Sequence, residues 1–500
     1  ERKRAEEAET KRISPIKKKS KQKMKENPIQ TGKKQYAGRL NRSKKRVAFE
    51  RTQKKDKTTG SKIKITEEEV DRCIRASKNK KATGPDQIAN EHLKSSAEML
   101  TPIWTEIFNK CISTITIPEN WRKSTLKILY KGKGNTEDPH AYRGVALENT
   151  SYKIFMKIIT NKLTELTDQH IPENQFGFRK AKSTLQAAEA IMKEIDEALN
   201  QPKGKYFTVF IDYEKAFDSV NREKLMQKLG DMIGKDHHLI YIIQETMRRN
   251  ILEITDGVST SQEIIQTNGV TQGDPISPLL FNVMTADIAH KMKASTLIMY
   301  ADDMILGSTN KEELQEDINT LHQWATENDL IINRDKTAQM IFRRGGKIKK
   351  SDNIIMNGEP LKITNRYKYL GITLQTTASS FRIHIEEKTA AAIKAMYNIK
   401  NITLLKLETA MKLFETIIAP IITYGIELYW EKLKTRDMEK IESVKARYLK
   451  KAIGISKYAP NRMTYAITRE TYFLDDVRNT MLLPSTEAYR EAIARKKQKE

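Results

Sequence analysis

The chain predicts an α+β fold, and two β-rich stretches with helical patterns around them carry that expectation. Residues 297–306, Leu-Ile-Met-Tyr-Ala-Asp-Asp-Met-Ile-Leu, set two carboxylates, Asp302 and Asp303, between two short apolar runs that read as strand, tight turn and strand. Residues 206–212, Tyr-Phe-Thr-Val-Phe-Ile-Asp, form a second β-rich run that ends on Asp212 and continues into a helical pattern. Helices are predicted on both sides of these strands. Ile154, Ile158, Leu163 and Leu166 fall near helical spacing, and Ile393, Met396, Ile399, then Met411, Phe414, Ile417, Ile418, and later Ile441, Val444 and Tyr448 recur at three and four, in a bundle broken near Pro420.

From the N-terminus, the first feature is charge. Residues 1–64 hold 24 Lys and Arg against 7 Asp and Glu, a net +17, which leaves only +8 of the chain's +25 for the other 436 residues. Poor in apolar side chains, this tail is expected to be disordered and to attract phosphates or serve as a nuclear-targeting patch. Thr66-Glu67-Glu68-Glu69 fits a capping box that opens the first helix, and the loop 80–86 leads to a second helix around 87–98. Cys73 and Cys111 are the only cysteines, too few and too far apart for a disulfide framework or a zinc knuckle, so a reducing intracellular compartment is favoured. Without a run of about 18 apolar residues or a signal-peptide core, membrane insertion and secretion are not expected. The eight histidines form no metal set.

Two like charges at a strand turn repel unless a cation or a basic group compensates them, and a divalent metal does so directly. Carboxylates from neighbouring strands can hold two Mg²⁺ ions about 3.5–4 Å apart, one activating an attacking oxygen and the other stabilising a leaving oxygen in phosphoryl displacement. Asp212 and Asp302 are the candidate ligands, with Asp303 a neighbour that tunes the site or touches metal less directly, and the carbonyl of Ile211 or Tyr213 available to complete a shell. An isolated Asp pair is ordinarily just a turn; the surrounding segments raise its standing here. Between the carboxylate sites lies Gly269-Val270-Thr271-Gln272-Gly273-Asp274-Pro275-Ile276-Ser277-Pro278-Leu279-Leu280-Phe281-Asn282, whose Gly and Pro let backbone approach a ligand before an apolar run docks a helix.

The order FIDYEKAFDSV (210–220), GVTQGDPISPLLFN (269–282) and YADD (300–303) resembles the palm of a reverse transcriptase, nearest to the enzymes of non-LTR (LINE-type) retrotransposons and more distantly to those of group II introns. The likeness runs from about 80 to 455. It includes Trp121-Arg122-Lys123-Ser124, the segments 127–134 and 142–147, Asn174-Gln175-Phe176-Gly177-Phe178-Arg179, the segment 330–337 and Tyr367-Lys368-Tyr369-Leu370-Gly371-Ile372. One position departs from the pattern: Gly144 follows Arg143 where the family usually has Pro.

The resemblance implies a right-hand polymerase, with a basic tail (1–64), an N-terminal helical extension (65–110), fingers and an antiparallel-sheet palm (111–375), a helical thumb (376–455) and the start of a linker (456–500). It implies catalytic Asp212, Asp302 and Asp303, and Lys336 as the group that protonates departing pyrophosphate. Arg143 and one of Lys127, Lys131 or Lys133 should meet the triphosphate; Gln272 and Gly273 match template and nucleotide contacts; Phe217 falls where an aromatic ring would exclude a ribose 2′-hydroxyl; and Tyr369, Leu370 and Gly371 match the primer grip. Asp218 is expected to be a helix-surface or packing carboxylate. The implied cofactor is Mg²⁺, two ions, with Mn²⁺ a substitute. The implied partners are an RNA template, a DNA primer or target, and dNTPs, with strand cleavage supplied by missing sequence or a partner and part of the cycle nuclear. A maturase-like RNA-binding protein and a domesticated inactive scaffold are the rival readings.

Overall fold

A computed structural model describes residues 63–132, 134–255, 261–376 and 381–479. The basic tail up to residue 62, Lys133 and residues 480–500 of the expected linker lie outside the described residues. The strands are β1 (Lys123–Tyr130), β2 (Tyr142–Glu148), β3 (Lys205–Ile211), β4 (Asn250–Ile254), β5 (Ile264–Gln266), β6 (Thr296–Tyr300), β7 (Asp303–Ser308), β8 (Ala338–Arg343), β9 (Ile355–Met356), β10 (Glu359–Pro360), β11 (Lys362–Ile363), β12 (Arg366–Tyr369) and β13 (Ile372–Gln375). The chain divides into two compact units. One holds the described residues through Ile171 together with Lys215–Thr285, and the other holds Pro172–Glu214 together with those from Ala286.

In the first unit the sheet order is β2-β1-β4-β5, with β1 antiparallel to β2 and parallel to β4. Pleating sorts its side chains: Leu126, Ile128 and Ala146 are buried, while Lys127, Leu129 and Arg143 are exposed. Helices Glu67–Arg75, Ala97–Thr114 and Thr150–Thr167 enclose an aromatic cluster in which Phe108 and Phe155 lie 5.4 Å apart and Trp121 packs 5.7 Å from Phe155. The capping box forms as expected. The Thr66 N–H donates to Glu69 Oε2 at 2.9 Å and the Glu69 N–H to Thr66 Oγ1 at 3.3 Å. The helix expected around 87–98 is in fact two, Asn90–Ser95 and Ala97–Thr114, divided at Ser96.

In the second unit a five-stranded sheet has the order β11-β8-β3-β7-β6, with β3 antiparallel to both β7 and β8. This is the antiparallel sheet expected from the sequence, extended at one edge by β11, which runs parallel to β8. Strand β3 is central because six of its seven residues are apolar or buried on both faces; only Lys205 keeps solvent contact. Helices Thr184–Asn200 and Lys311–Glu327 pack on the sheet, and β9–β10 and β12–β13 are small hairpins.

The same unit contains helices Arg382–Asn398, Leu407–Leu413, Ala419–Thr423 and Thr435–Ala452, whose buried Met396, Met411, Phe414, Ile418, Ile441, Val444 and Tyr448 share one core with Tyr206, Phe210 and Tyr369. The expected break near Pro420 is a π-helical turn, Phe414–Ile418, which absorbs the proline's missing N–H without ending the apolar stripe. The stretch Leu407–Leu428 is long and apolar enough to cross a membrane by length and composition only. Its Ala410, Met411, Phe414, Ile418, Ile422 and Ile426 are nevertheless buried in this core. One correction concerns the expected linker. Helices Asn461–Thr468 and Phe473–Val477 follow, with Tyr465, Phe473 and Val477 buried, because these apolar side chains continue the core.

Candidate active site

The second unit brings the sequence-predicted carboxylates together. Strand β3 pairs with β7 so that Ile211 faces Met304, and one step further the same register sets Asp212 against Asp303. Strands β6 and β7 close on the pair Tyr300 and Asp303, leaving Ala301-Asp302 as a two-residue turn. Ala301 sits in the left-handed region at φ +55, a conformation that surrounding contacts must hold.

Those contacts come from the Asn174–Arg179 block. Gln175 Oε1 accepts the N–H of Ala301 at 3.0 Å and that of Gly177 at 2.8 Å, the Asn174 carbonyl accepts from Met299 at 2.9 Å, and the Phe176 N–H donates to the Met299 carbonyl at 2.8 Å. A Cβ at Gly177 would stand 2.4 Å from the Ala301 nitrogen. The sequence marked this block by resemblance only; its role as the brace of the Ala301-Asp302 turn is tertiary, and nothing in its local pattern points to it.

A second brace holds Asp212. The Asn333 N–H donates to the Asp212 carbonyl at 2.7 Å, the Asp212 N–H donates to Thr337 Oγ1 at 3.3 Å, and Lys336 Nζ donates to Asp212 Oδ2 at 3.0 Å. Lys336 is thereby placed on the carboxylate expected to be catalytic. Asp303 is exposed as a residue, yet partial desolvation of its carboxyl, then the negative fields of Asp302 and Asp212, push it up to about 6. Tyr367, stacked 4.0 Å from Phe210, feels the same charges; burial, then Asp303 and Asp212, push its phenol up to about 12. Tyr369 is buried, while Leu370 and Gly371 form the β12–β13 turn with φ +45 and +88.

Among the described residues, no three or more His, Cys, Asp and Glu side chains are gathered into a ready-made metal cage. The expected three-carboxylate ligand set is therefore not preassembled as a cage. Its donor chemistry still suits a hard divalent cation: all donors are oxygen, and Asp303 responds to two neighbouring negative charges. Mg²⁺ binds through one or two carboxylates and takes the rest of its shell from water and substrate phosphate.

The first unit carries the other predicted residues. The Gln272 carbonyl accepts the Ala146 N–H at 2.7 Å, and Gly273, at φ +125, lies so close to β2 that a Cβ would stand 2.3 Å from the Ala146 carbonyl oxygen. Only glycine fits there. Arg143 and Lys127 lie on the exposed face of the β1–β2 pair, Leu129 standing opposite Arg143 and Val145 opposite Lys127. Lys131 Nζ instead donates to the His140 carbonyl at 2.9 Å, Lys127 shares the face of Arg143, and Lys133 lies outside the described residues.

Phe217, half-buried in the short helix Ala216–Ser219, stacks on Phe281 with ring centres 4.9 Å apart and planes 12° from parallel. Its carbonyl accepts the Val270 N–H at 2.8 Å, tying it to the 269–274 segment. Asp218, half-buried, is raised by burial. Next to Gly273, the buried Asp274 accepts from the Tyr152 hydroxyl at 3.1 Å and is pushed up to about 6 by burial, and the buried Glu148 is raised by burial and by Asp274. This acid pair was not anticipated; Glu148 follows the apolar run Val145-Ala146-Leu147 at the end of its strand, a mismatch that is the one available signal.

Comparison with known proteins agrees with these features. The family described as reverse transcriptase (RNA-dependent DNA polymerase) matches residues 129–374. A probable RNA-directed DNA polymerase from transposon BS of Drosophila melanogaster is 27% identical over 384 residues, covering 73% of this chain and 42% of that protein. The RNA-directed DNA polymerase from mobile element jockey of Drosophila funebris is 26% identical over 418 residues, 80% of this chain and 45% of the relative. A retrovirus-related Pol polyprotein from the type-1 retrotransposable element R2 of Nasonia vitripennis is 24% identical over 332 residues, 61% of this chain and 30% of the relative. The chain thus spans less than half the length of these relatives. Among solved structures, telomerase from Candida albicans in complex with a TWJ fragment of telomeric RNA is similar with a TM-score of 0.37 at 11% identity, covering 79% of this chain and 68% of that one. With its carboxylate-tipped strands, its 129–374 match and these relatives, the chain belongs to the reverse transcriptase family, in the branch of non-LTR retrotransposons.

Proposed function

We propose that the chain is the RNA-directed DNA polymerase of a non-LTR element, extending a DNA primer 3′-hydroxyl with dNTPs on an RNA template. The observation that carries this reading is the junction of β3 and β7, where Asp212 and Asp303 come into register beside Asp302. Asp212, Asp302 and Asp303 would hold the divalent ions, which when bound activate the 3′-hydroxyl and stabilise the leaving pyrophosphate oxygen. Lys336, already bonded to Asp212, supplies a proton source for that leaving group. Arg143 and Lys127 offer cationic donors for the triphosphate from one strand face. Residues 376–455 act as a thumb on the product duplex, and the helices of 65–110 as an N-terminal extension.

Priming at a nicked genomic target, with cleavage from a partner or from sequence outside this chain, would place part of the cycle in the nucleus. The test is extension of a labelled DNA primer on an RNA template with Mg²⁺ or Mn²⁺, beside Asp302→Asn. Robust extension by wild type and its loss in the variant are expected; equal extension by both would refute the assignment.

A further inference from the structure

The β12–β13 hairpin ends in an unusual turn, because Leu370, a branched residue, occupies the left-handed region beside Gly371. One side chain from far along the chain holds it there. Tyr424, immediately after helix Ala419–Thr423, donates its hydroxyl hydrogen to the Leu370 carbonyl at 2.8 Å. That commits its single proton, so the 3.2 Å contact between the Tyr424 hydroxyl and Thr184 Oγ1 must run the other way, with Thr184 donating. Thr184 is the first residue of helix Thr184–Asn200.

The packing around this ring is close. A Cβ on Gly371 would come within 2.9 Å of the Tyr424 ring, and one on the adjacent Gly425 within 2.4 Å of Ile372 Cδ1. Lys388, from helix Arg382–Asn398, sets its ammonium 4.3 Å from the ring centre. Three helices therefore meet the hairpin turn through one phenol. A hydroxyl aimed at a single carbonyl is a poor way to add bulk stability, since a phenylalanine would fill the same space; its use is to fix where that carbonyl lies.

We propose that Tyr424 is a positioning residue for the primer strand, holding the Leu370–Gly371 turn against the helices behind it so that the hairpin meets the primer at a set height. The inference rests on the polymerase reading and on the hairpin as the primer-contacting segment. Thr184 acts through Tyr424 by orienting its hydroxyl, and Lys388 by capping the ring face.

The experiment measures KM for primer and for dTTP, and kcat, on oligo(dT) annealed to poly(rA), with thermal unfolding of each variant alongside. Tyr424→Phe should raise the primer KM about three- to tenfold, the span of one lost hydrogen bond, with kcat and the dTTP KM within about twofold. Thr184→Val should move the primer KM the same way by less, and the double variant should be no worse than Tyr424→Phe alone, because Thr184 works through that hydroxyl. A native primer KM in folded Tyr424→Phe, or a fall in kcat with both KM values unchanged, would overturn the proposal.

Gly371→Ala disturbs the turn directly and separates the two readings. If it raises the primer KM while Tyr424→Phe does not, the assignment of Tyr424 fails and the hairpin reading stands. If it folds and leaves the primer KM native, the hairpin does not meet the primer and both fail. Should Gly371→Ala not fold, Lys368→Ala on the hairpin's exposed face asks the same question.

Discussion

Replacing Phe217 by alanine separates two roles that the structure leaves superposed on one ring. The ring stacks on Phe281 and is half-buried, so its loss should destabilise the first unit by about 1–2 kcal/mol, from a stacking contribution of about 0.5–1.5 kcal/mol and partial loss of apolar burial. For a unit of this size that is a fall in melting temperature on the order of 3–6 °C. If the exposed side of the ring also excludes a ribose 2′-hydroxyl, the same substitution should relax sugar choice by about 1–3 kcal/mol, roughly 10- to 200-fold in the ratio of kcat/KM for dGTP over GTP. Phe281→Ala supplies the control, since it removes the stacking partner and leaves the Phe217 ring in place. The assay is single-nucleotide incorporation on one primed RNA template. Relaxed sugar choice in Phe217→Ala but not in Phe281→Ala is expected. A dGTP:GTP ratio within about twofold of wild type in folded, active Phe217→Ala would make the ring core packing and place the sugar gate elsewhere.

Asp212→Asn and Asp302→Asn should each lower primer extension by on the order of 10²-fold or more with RNA affinity nearly unchanged, measured by gel extension and filter binding. Asp212→Asn also removes one of the negative fields on Asp303, so the Asp303 carboxyl should titrate lower in the metal-free variant, followed by carboxyl ¹³C shifts. Deleting residues 1–64, with their net +17, should weaken RNA binding and flatten the slope of log affinity against log salt; an unchanged slope would show that the tail is not the electrostatic grip. His384 is buried, accepts the Thr373 N–H on Nδ1, and is held down to about 4 by burial and then by Lys388. Its folded value lies below the unfolded one, so its contribution to stability is present above about pH 6.5 and lost as pH falls toward 4, and its ring ¹³C signals should not titrate until near pH 4.

What the sequence revealed was what is local. Asp212 and the Ala301-Asp302-Asp303 turn stood out because charge interrupting an apolar strand is rare whatever the fold, and the Thr66 capping box because both partners lie within one turn. Lys336 and Gly273 were found through a family likeness, and the structure adds reasons in an ion pair with Asp212 and in backbone too close for a Cβ. Other features depend on residues more than a hundred positions apart. Gln175 reaches Ala301 and Tyr424 reaches back to Thr184, contacts that leave no trace in periodicity. The helices at 461–477 were missed for a different reason: they are short and carry charge between their apolar residues, so only the core they complete identifies them as structured.

The place of β3 bears on how the protein is made. This strand emerges from the ribosome long before its partners, for β7 begins about ninety residues beyond its end and β8 follows later still. Until both exist, Lys-Tyr-Phe-Thr-Val-Phe-Ile has two unpaired edges and a composition prone to self-association. Pairing over such separations is slow, because loop closure precedes any gain from contact. The first unit faces a similar delay, since its polypeptide is interrupted by Pro172–Glu214 and resumes at Lys215. A nascent chain stalled or truncated before Arg343 would therefore expose this apolar strand without its full sheet, and soluble recombinant fragments should be found among those that end beyond β8 rather than before it.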